Sequence, residues 1–133
     1  RGHPAMAYDA ESDRVILFGG YSHTEGMLSD TWAYDYNTDT WTEMNPSSSP
    51  AAGYGHSLAY DSRSDRGILF GGWDGSQPLG DTWAYDWNTD TWAQLSPHDS
   101  PTARWQQAMA CDTDSGRVVL FGGWDSTNYL GDT

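Results

Sequence analysis

Lysine is absent from the 133 residues, and the basic side chains are six arginines set against nineteen acids, for a formal net charge of −13 at pH 7. A surface of that sign repels phosphate backbones, so nucleic acid is excluded as a partner class. Cysteine occurs once, as Cys111, which rules out an internal disulfide and any set of thiols at metal-ligand spacing. The thiol count leaves the redox compartment open, with an extracellular or cell-surface setting favoured over a cytoplasmic one. No apolar run approaches membrane-spanning length, so membrane insertion is not expected. Apolar residues nowhere keep a 3- and 4-residue spacing for long, and helical signals are therefore missing. Glutamate is scarce, 3 against 16 aspartates. Aspartate suits tight turns, and its recurrence at repeat-equivalent positions explains the excess without high-salt adaptation, the other reading of such a composition.

What the chain has instead is aromatic side chains and a repeat. Eight Trp and eight Tyr supply large side chains that bury area while keeping a polar tip. Phe18-Gly19-Gly20, Phe70-Gly71-Gly72 and Phe121-Gly122-Gly123 each lead through a variable loop to Asp-Thr, at Asp30, Asp81 and Asp132. The first two copies continue as Trp32-Ala33-Tyr34-Asp35 and Trp83-Ala84-Tyr85-Asp86, then through Asn-Thr-Asp-Thr to Trp41 and Trp92. Asp30 to Asp81 to Asp132 advances by 51 twice, and Phe18 to Phe70 to Phe121 by 52 and 51. A period near 50 with Gly-Gly and a downstream Trp has the size of one four-stranded propeller blade, and is too long for ankyrin or tetratricopeptide helices.

Four short strands, a to d, are read in each copy. Strand a covers about Ala5 to Asp9, His56 to Asp61 and Gln107 to Asp112, and ends in Asp- and Ser-rich turns. Strand b is Arg14–Phe18, Arg66–Phe70 and Arg117–Phe121, apolar on both faces after its Arg, as for a strand covered on both sides. In strand c Trp83, Tyr85 and Trp87 alternate with Thr82, Ala84 and Asp86, so the large residues of one sheet can meet the small ones of the next. Strand d is Trp41–Met44 and Trp92–Leu95. The proline-bearing stretches 45–52 and 96–103 cross from one blade to the next.

These residues resemble the Kelch repeat: Gly-Gly after an apolar strand, a Tyr in the third strand and a Trp in the fourth. The resemblance covers essentially the whole chain and implies an all-β, Kelch-type β-propeller fragment, two complete four-stranded blades plus the first two strands of a third. The blades are expected at about 1–46, 53–97 and 104–133. The resemblance assigns Gly19, Gly20, Gly71, Gly72, Gly122 and Gly123, with Tyr34, Tyr85, Trp41 and Trp92, to blade construction. His56 stands where family members often carry a His before the apolar pair of strand a; Pro4 and Gln107 occupy that place in the other copies. Propellers close with four to eight blades, so the remaining blades are expected from a longer protein. Two copies of this chain would not close a ring, since neither supplies the missing strands c and d.

Positions that repeat are more simply scaffold, and positions that diverge are free to act. The divergent loops between strands b and c start at Tyr21, Trp73 and Trp124, and Kelch resemblance puts them with the d-to-a linkers on one partner-binding rim. Tyr21, His23, Trp73, Asp74, Trp124 and Asp125, with Arg104 and Trp105 of the linker, are the candidate contacts to a protein or a carbohydrate. The competing readings are that the three loop aromatics pack under their own loops against Leu28, Leu79 and Leu130, and that Arg104-Trp105 is a blade-to-blade packing pair. The four His show no i, i+4 pairing, Arg63 sits inside the acidic turn Asp61–Asp65, and the third copy loses one Asp to Gly116, so no metal is expected, calcium included. No Gly-x-Ser-x-Gly turn or marked carboxylate pair suggests catalysis, and no cofactor is expected. Galactose oxidase, a family member, uses copper and a Tyr crosslinked to Cys, whereas Cys111 stands in the strand position of Tyr8 and Tyr60 and reads as a small core substitution. The sequence therefore points to a non-catalytic interaction scaffold that presents its b–c and d–a loops. The alternative is the propeller, scaffold or carbohydrate platform, of a larger secreted oxidase or sugar-active enzyme.

Overall fold

Every apolar or alternating run becomes a strand, and every Asp-rich junction a turn. The computed structural model describes residues 1–133. Its strands are β1 (Ala5–Asp9), β2 (Arg14–Ser22), β3 (Gly26–Asp35), β4 (Thr40–Met44), β5 (Ser57–Asp61), β6 (Arg66–Phe70), β7 (Thr82–Asp86), β8 (Thr91–Leu95), β9 (Ala108–Asp112) and β10 (Arg117–Phe121). They form three antiparallel sheets, β1-β2-β3-β4, β5-β6-β7-β8 and the pair β9-β10. The fold is that of a propeller fragment whose sheets do not close into a ring. No helix is long and apolar enough to cross a membrane. In the first sheet β2 and β3 run on into their loop, with a register shift between Phe18 and Gly20.

Register sorts the side chains by size. Met6, Leu17 and Trp32 lie in one row of the first sheet, and Tyr8, Val15, Tyr34 and Trp41 in the next row of the same face. The other face carries Ala5, Phe18, Thr31 and Met44, then Ala7, Ile16, Ala33 and Thr42. The second sheet repeats this, with Leu58, Leu69, Trp83, Tyr85 and Trp92 on its large face. The buried core joins Ala5, Ile16, Phe18 and Ala33 of the first sheet to Leu58, Leu69, Tyr85 and Trp92 of the second. Large side chains of one sheet thus fill the space left by small ones on its neighbour, as the alternation in strand c led us to expect. Trp92 completes the junction: its Nε1 donates to Thr31 Oγ1 at 2.9 Å, and its ring meets Phe18 at 5.2 Å and Tyr85 at 4.9 Å between centroids.

The strand-b expectation holds for β6, which lies between its neighbours with Leu69 and Phe70 buried. It does not hold for β2 and β10, because no sheet of this chain covers the Leu17 face of β2 or the Phe121 face of β10. Trp41 consequently stays 47 % exposed where its equivalent Trp92 is 4 % exposed, and Phe121 is 56 % exposed.

At the end of the sheets away from the Gly-Gly pairs, four turns share one device. Asp13, Asp39, Asp65 and Asp90 all have φ between 49° and 55°. Each carboxylate accepts a hydrogen bond from the Tyr five residues earlier, Tyr8, Tyr34, Tyr60 and Tyr85, at 2.7–2.9 Å. Aspartate tolerates the left-handed region, and the tyrosine hydroxyl ties the turn back to the sheet. The β9–β10 turn changes both partners together: Cys111 replaces the Tyr, and Gly116, at φ 63°, replaces the Asp. A second set, Asp9, Asp35, Asp61, Asp86 and Asp112, accepts the backbone amide two residues on. Nine of the sixteen aspartates are thus spent on turns.

Candidate functional site

The opposite end is built by the Gly-Gly pairs. Gly19, Gly71 and Gly122 have φ of 60–68°, and Gly20, Gly72 and Gly123 have φ of 101–107°. A side chain at Gly72 would also run into the ring of His56. In the first two copies this double left-handed bend brings the chain against the linker of the next blade. Gly20 N donates to Gly53 O at 2.8 Å, and Gly72 N to Arg104 O at 2.9 Å. Gly53 N and Arg104 N in turn donate to Leu28 O and Leu79 O.

The residue after each bend then pairs by backbone hydrogen bonds with the linker of its own blade: Tyr21 with Gly2, Trp73 with Tyr54, and Trp124 with Trp105. Linker and loop aromatics from adjacent blades are thereby set side by side. Tyr54 stands 6.2 Å from Tyr21, at 70°, and 5.6 Å from Trp105, at 88°; Trp105 stands 5.8 Å from Trp73. His3 lies 6.0 Å from Tyr54, and His23 is edge-on to Tyr21 at 5.6 Å. Between blades one and two His3, Tyr21, Met27, Tyr54, Trp73 and Gly75 line an open cavity of about 490 Å³.

Of the residues singled out from the sequence, Tyr21, His23, Trp73 and Trp105 therefore join one continuous aromatic group. Trp124 stands apart, edge-on to Tyr129 at 4.4 Å over a smaller cavity of about 260 Å³. Asp74 and Asp125 each spend Oδ1 on two amides of their own loop, Ser76 and Gln77 or Thr127 and Asn128. Those hydrogen bonds hold both carboxyls below the usual carboxylate range. Arg104 is fully buried, away from the rim surface. Its guanidinium donates to Asp132 at 2.6 and 2.8 Å, to Gly122 O at 3.0 Å and to Thr102. Arg1 makes the same grip on Gly19 O and Asp30 in the first blade. In the second blade Gly53 stands in its place and leaves Asp81 without an arginine.

Sequence reasoning missed Tyr54, His3 and Met27. The signal for Tyr54 lay in its register, since Gly53-Tyr54 aligns with Arg104-Trp105. His56 and Gln107 occupy equivalent buried positions at the two junctions. Gln107 Nε2 donates to Phe70 O at 2.7 Å, whereas neither ring nitrogen of His56 has a protein partner. Burial lowers the His56 pKa to about 4, against the opposing pull of Asp81. Nowhere do three or more His, Cys, Asp or Glu side chains converge as a metal ligand set would.

Over residues 1–133 the chain matches the KLHDC2/KLHL20/DRC7 Kelch-repeats domain. It is similar to Kelch domain-containing protein 2 of Bos taurus, 34% identical over 122 residues that cover 90% of this chain and 29% of that protein. It is also similar to Kelch domain-containing protein 3 of Homo sapiens, 30% identical over 125 residues covering 92% of this chain and 31% of that protein. Putative adagio-like protein 2 of Oryza sativa subsp. japonica is 32% identical over 130 residues, 93% of this chain and 20% of that protein. The chain thus spans less than a third of the length of these relatives.

Proposed function

The chain belongs to the Kelch-repeat family, and from that premise we propose that it is a segment of a non-catalytic propeller that holds a protein partner on its b–c and d–a loops. The blades run about 1–46, 53–97 and 104–133, and further blades of the parent protein complete the ring. One observation carries the reading: the positions that diverge between copies, Tyr21, Tyr54, Trp73 and Trp105, gather into one aromatic group, while the repeated positions are consumed by blade construction. Clustered Trp and Tyr are the side chains that dominate the energetics of protein interfaces.

The test is made in the full-length parent protein. A partner found by crosslinking is purified, and its affinity is measured for the wild type and for the Tyr54→Ser/Trp73→Ser double variant. A loss of tenfold or more with an unchanged urea midpoint supports the rim; unchanged affinity refutes it. Glycan-array binding that disappears in Trp73→Ala and Trp124→Ala proteins would transfer the rim to a carbohydrate. Cys111 sits on β9 opposite Val118, and the alternative, a scaffold or carbohydrate platform within a larger secreted oxidase or sugar-active enzyme, would be favoured by a catalytic or carbohydrate-binding domain elsewhere in the parent protein.

A further inference from the structure

Tyr21 and Tyr54 both line the cavity between the first two blades and stand at 70° with centroids 6.2 Å apart, so they form two walls of a corner. Trp73 lines the same space, and Trp105 packs against both Tyr54 and Trp73. A group seated in such a corner lies within about 6 Å of more than one ring, the range over which a cation is attracted to an aromatic face. The sign of the surroundings agrees. Net charge is −13, and four of the six arginines are already paired with Asp30, Asp35, Asp86 and Asp132. Arg1, the arginine beside the cavity, is held by Asp30 and Gly19 O. The lining holds no Lys or Arg to receive an anion. Asp74 lies between lining residues Trp73 and Gly75, and its loop hydrogen bonds keep it ionised.

We propose that this aromatic corner is a seat for a cationic side chain, an arginine in a basic segment of the protein partner. This rests on the rim being the partner-binding face. Arginine is the best fit because its planar guanidinium is weakly hydrated and stacks on aromatic rings. The protein's acidic field brings the basic segment in, and the corner of Tyr21, Tyr54 and Trp73 selects the residue that anchors it.

The probe is an acetylated, amidated peptide with three arginines in a Gly-Ser background, compared with its citrulline counterpart, which keeps the shape and loses the charge. Binding to the full-length protein is measured by calorimetry. The arginine peptide is expected to bind at least tenfold more tightly than the citrulline peptide. Tyr54→Leu and Trp73→Leu, which keep apolar bulk, should each weaken the arginine peptide about threefold to thirtyfold and leave the citrulline peptide unchanged. Tyr21→Leu, at an exposed position, repeats the test where folding is least at risk. Equal binding of the two peptides overturns the inference, as does full binding by the Leu variants, which would mean adhesion to an acidic surface alone. If the purified partner binds through the rim but the arginine peptide does not, the cation seat falls and the rim reading stands. If the partner also ignores the substitutions, both fall.

Discussion

Trp92 is the most informative side chain to remove. It is 4 % exposed, touches Phe18 across the junction and Tyr85 within its sheet, and donates its indole N–H to Thr31. Burying a Trp takes ~200 Å² from water, an upper estimate of about 5 kcal/mol at ~25 cal/mol per Å². Measured Trp-to-Ala changes in cores fall at about 3–5 kcal/mol. Trp92→Ala should therefore lower the unfolding free energy of the parent protein by about that amount, read as the shift of the urea midpoint. Trp92→Phe keeps most of the apolar area and strands the Thr31 hydroxyl, for a loss of about 1–3 kcal/mol. Combining Trp92→Phe with Thr31→Val should recover part of it, a coupling of about 1 kcal/mol. Trp41 is the internal reference. With its face open, as here, Trp41→Ala should cost about half as much; with a further sheet over it in the parent protein, the two losses should converge. A Trp92→Ala loss under ~1 kcal/mol would refute the account of blade-to-blade packing.

Three other outcomes follow from the same geometry. His56 is buried with a pKa of about 4 against an ordinary 6.5, so the unfolded chain binds its proton more tightly. The stability this represents is complete above pH 6.5 and is lost as pH falls towards 4, by up to about 3 kcal/mol; in His56→Gln, which copies Gln107, thermal melts between pH 7.5 and 4.5 should show a flatter dependence. Gly72→Ala places a Cβ at φ 107° against the His56 ring and should destabilise by about 1–3 kcal/mol in urea unfolding, whereas an unchanged midpoint would contradict the left-handed bend. Expressed alone, the chain should self-associate through the Met6, Tyr8 and Trp41 face and the Val119 and Phe121 face. A sharply melting monomer in sedimentation would be inconsistent with that.

Strand order, turn positions and the size alternation of strand c were legible in the chain, because they are local or periodic; the extension of β2 to Ser22 and of β3 back to Gly26 was not, because it depends on pairing across the loop. Alternation fixes which side chains share a face, and Asp and Gly mark where φ turns positive. The repeat also separates recurrent from variable positions within the one chain. The tie between each Tyr and the Asp five residues later was open to inspection too, yet it became visible only as a hydrogen bond, with Cys111 and Gly116 changing together as its negative image.

The sequence by itself determined the family, the strand order and the loops that vary, since each follows from spacing along one chain. Only the tertiary structure decided which variable residues meet. The double left-handed bend at Gly19-Gly20 ties the loop to the linker of the second blade, so Tyr54 of one copy reaches Tyr21 of the copy before it, 33 residues away in sequence. The same crossing buries Arg104 and exposes Tyr21, a distinction that residue type alone could not make, because burial depends on what the neighbouring blade lays over each side chain.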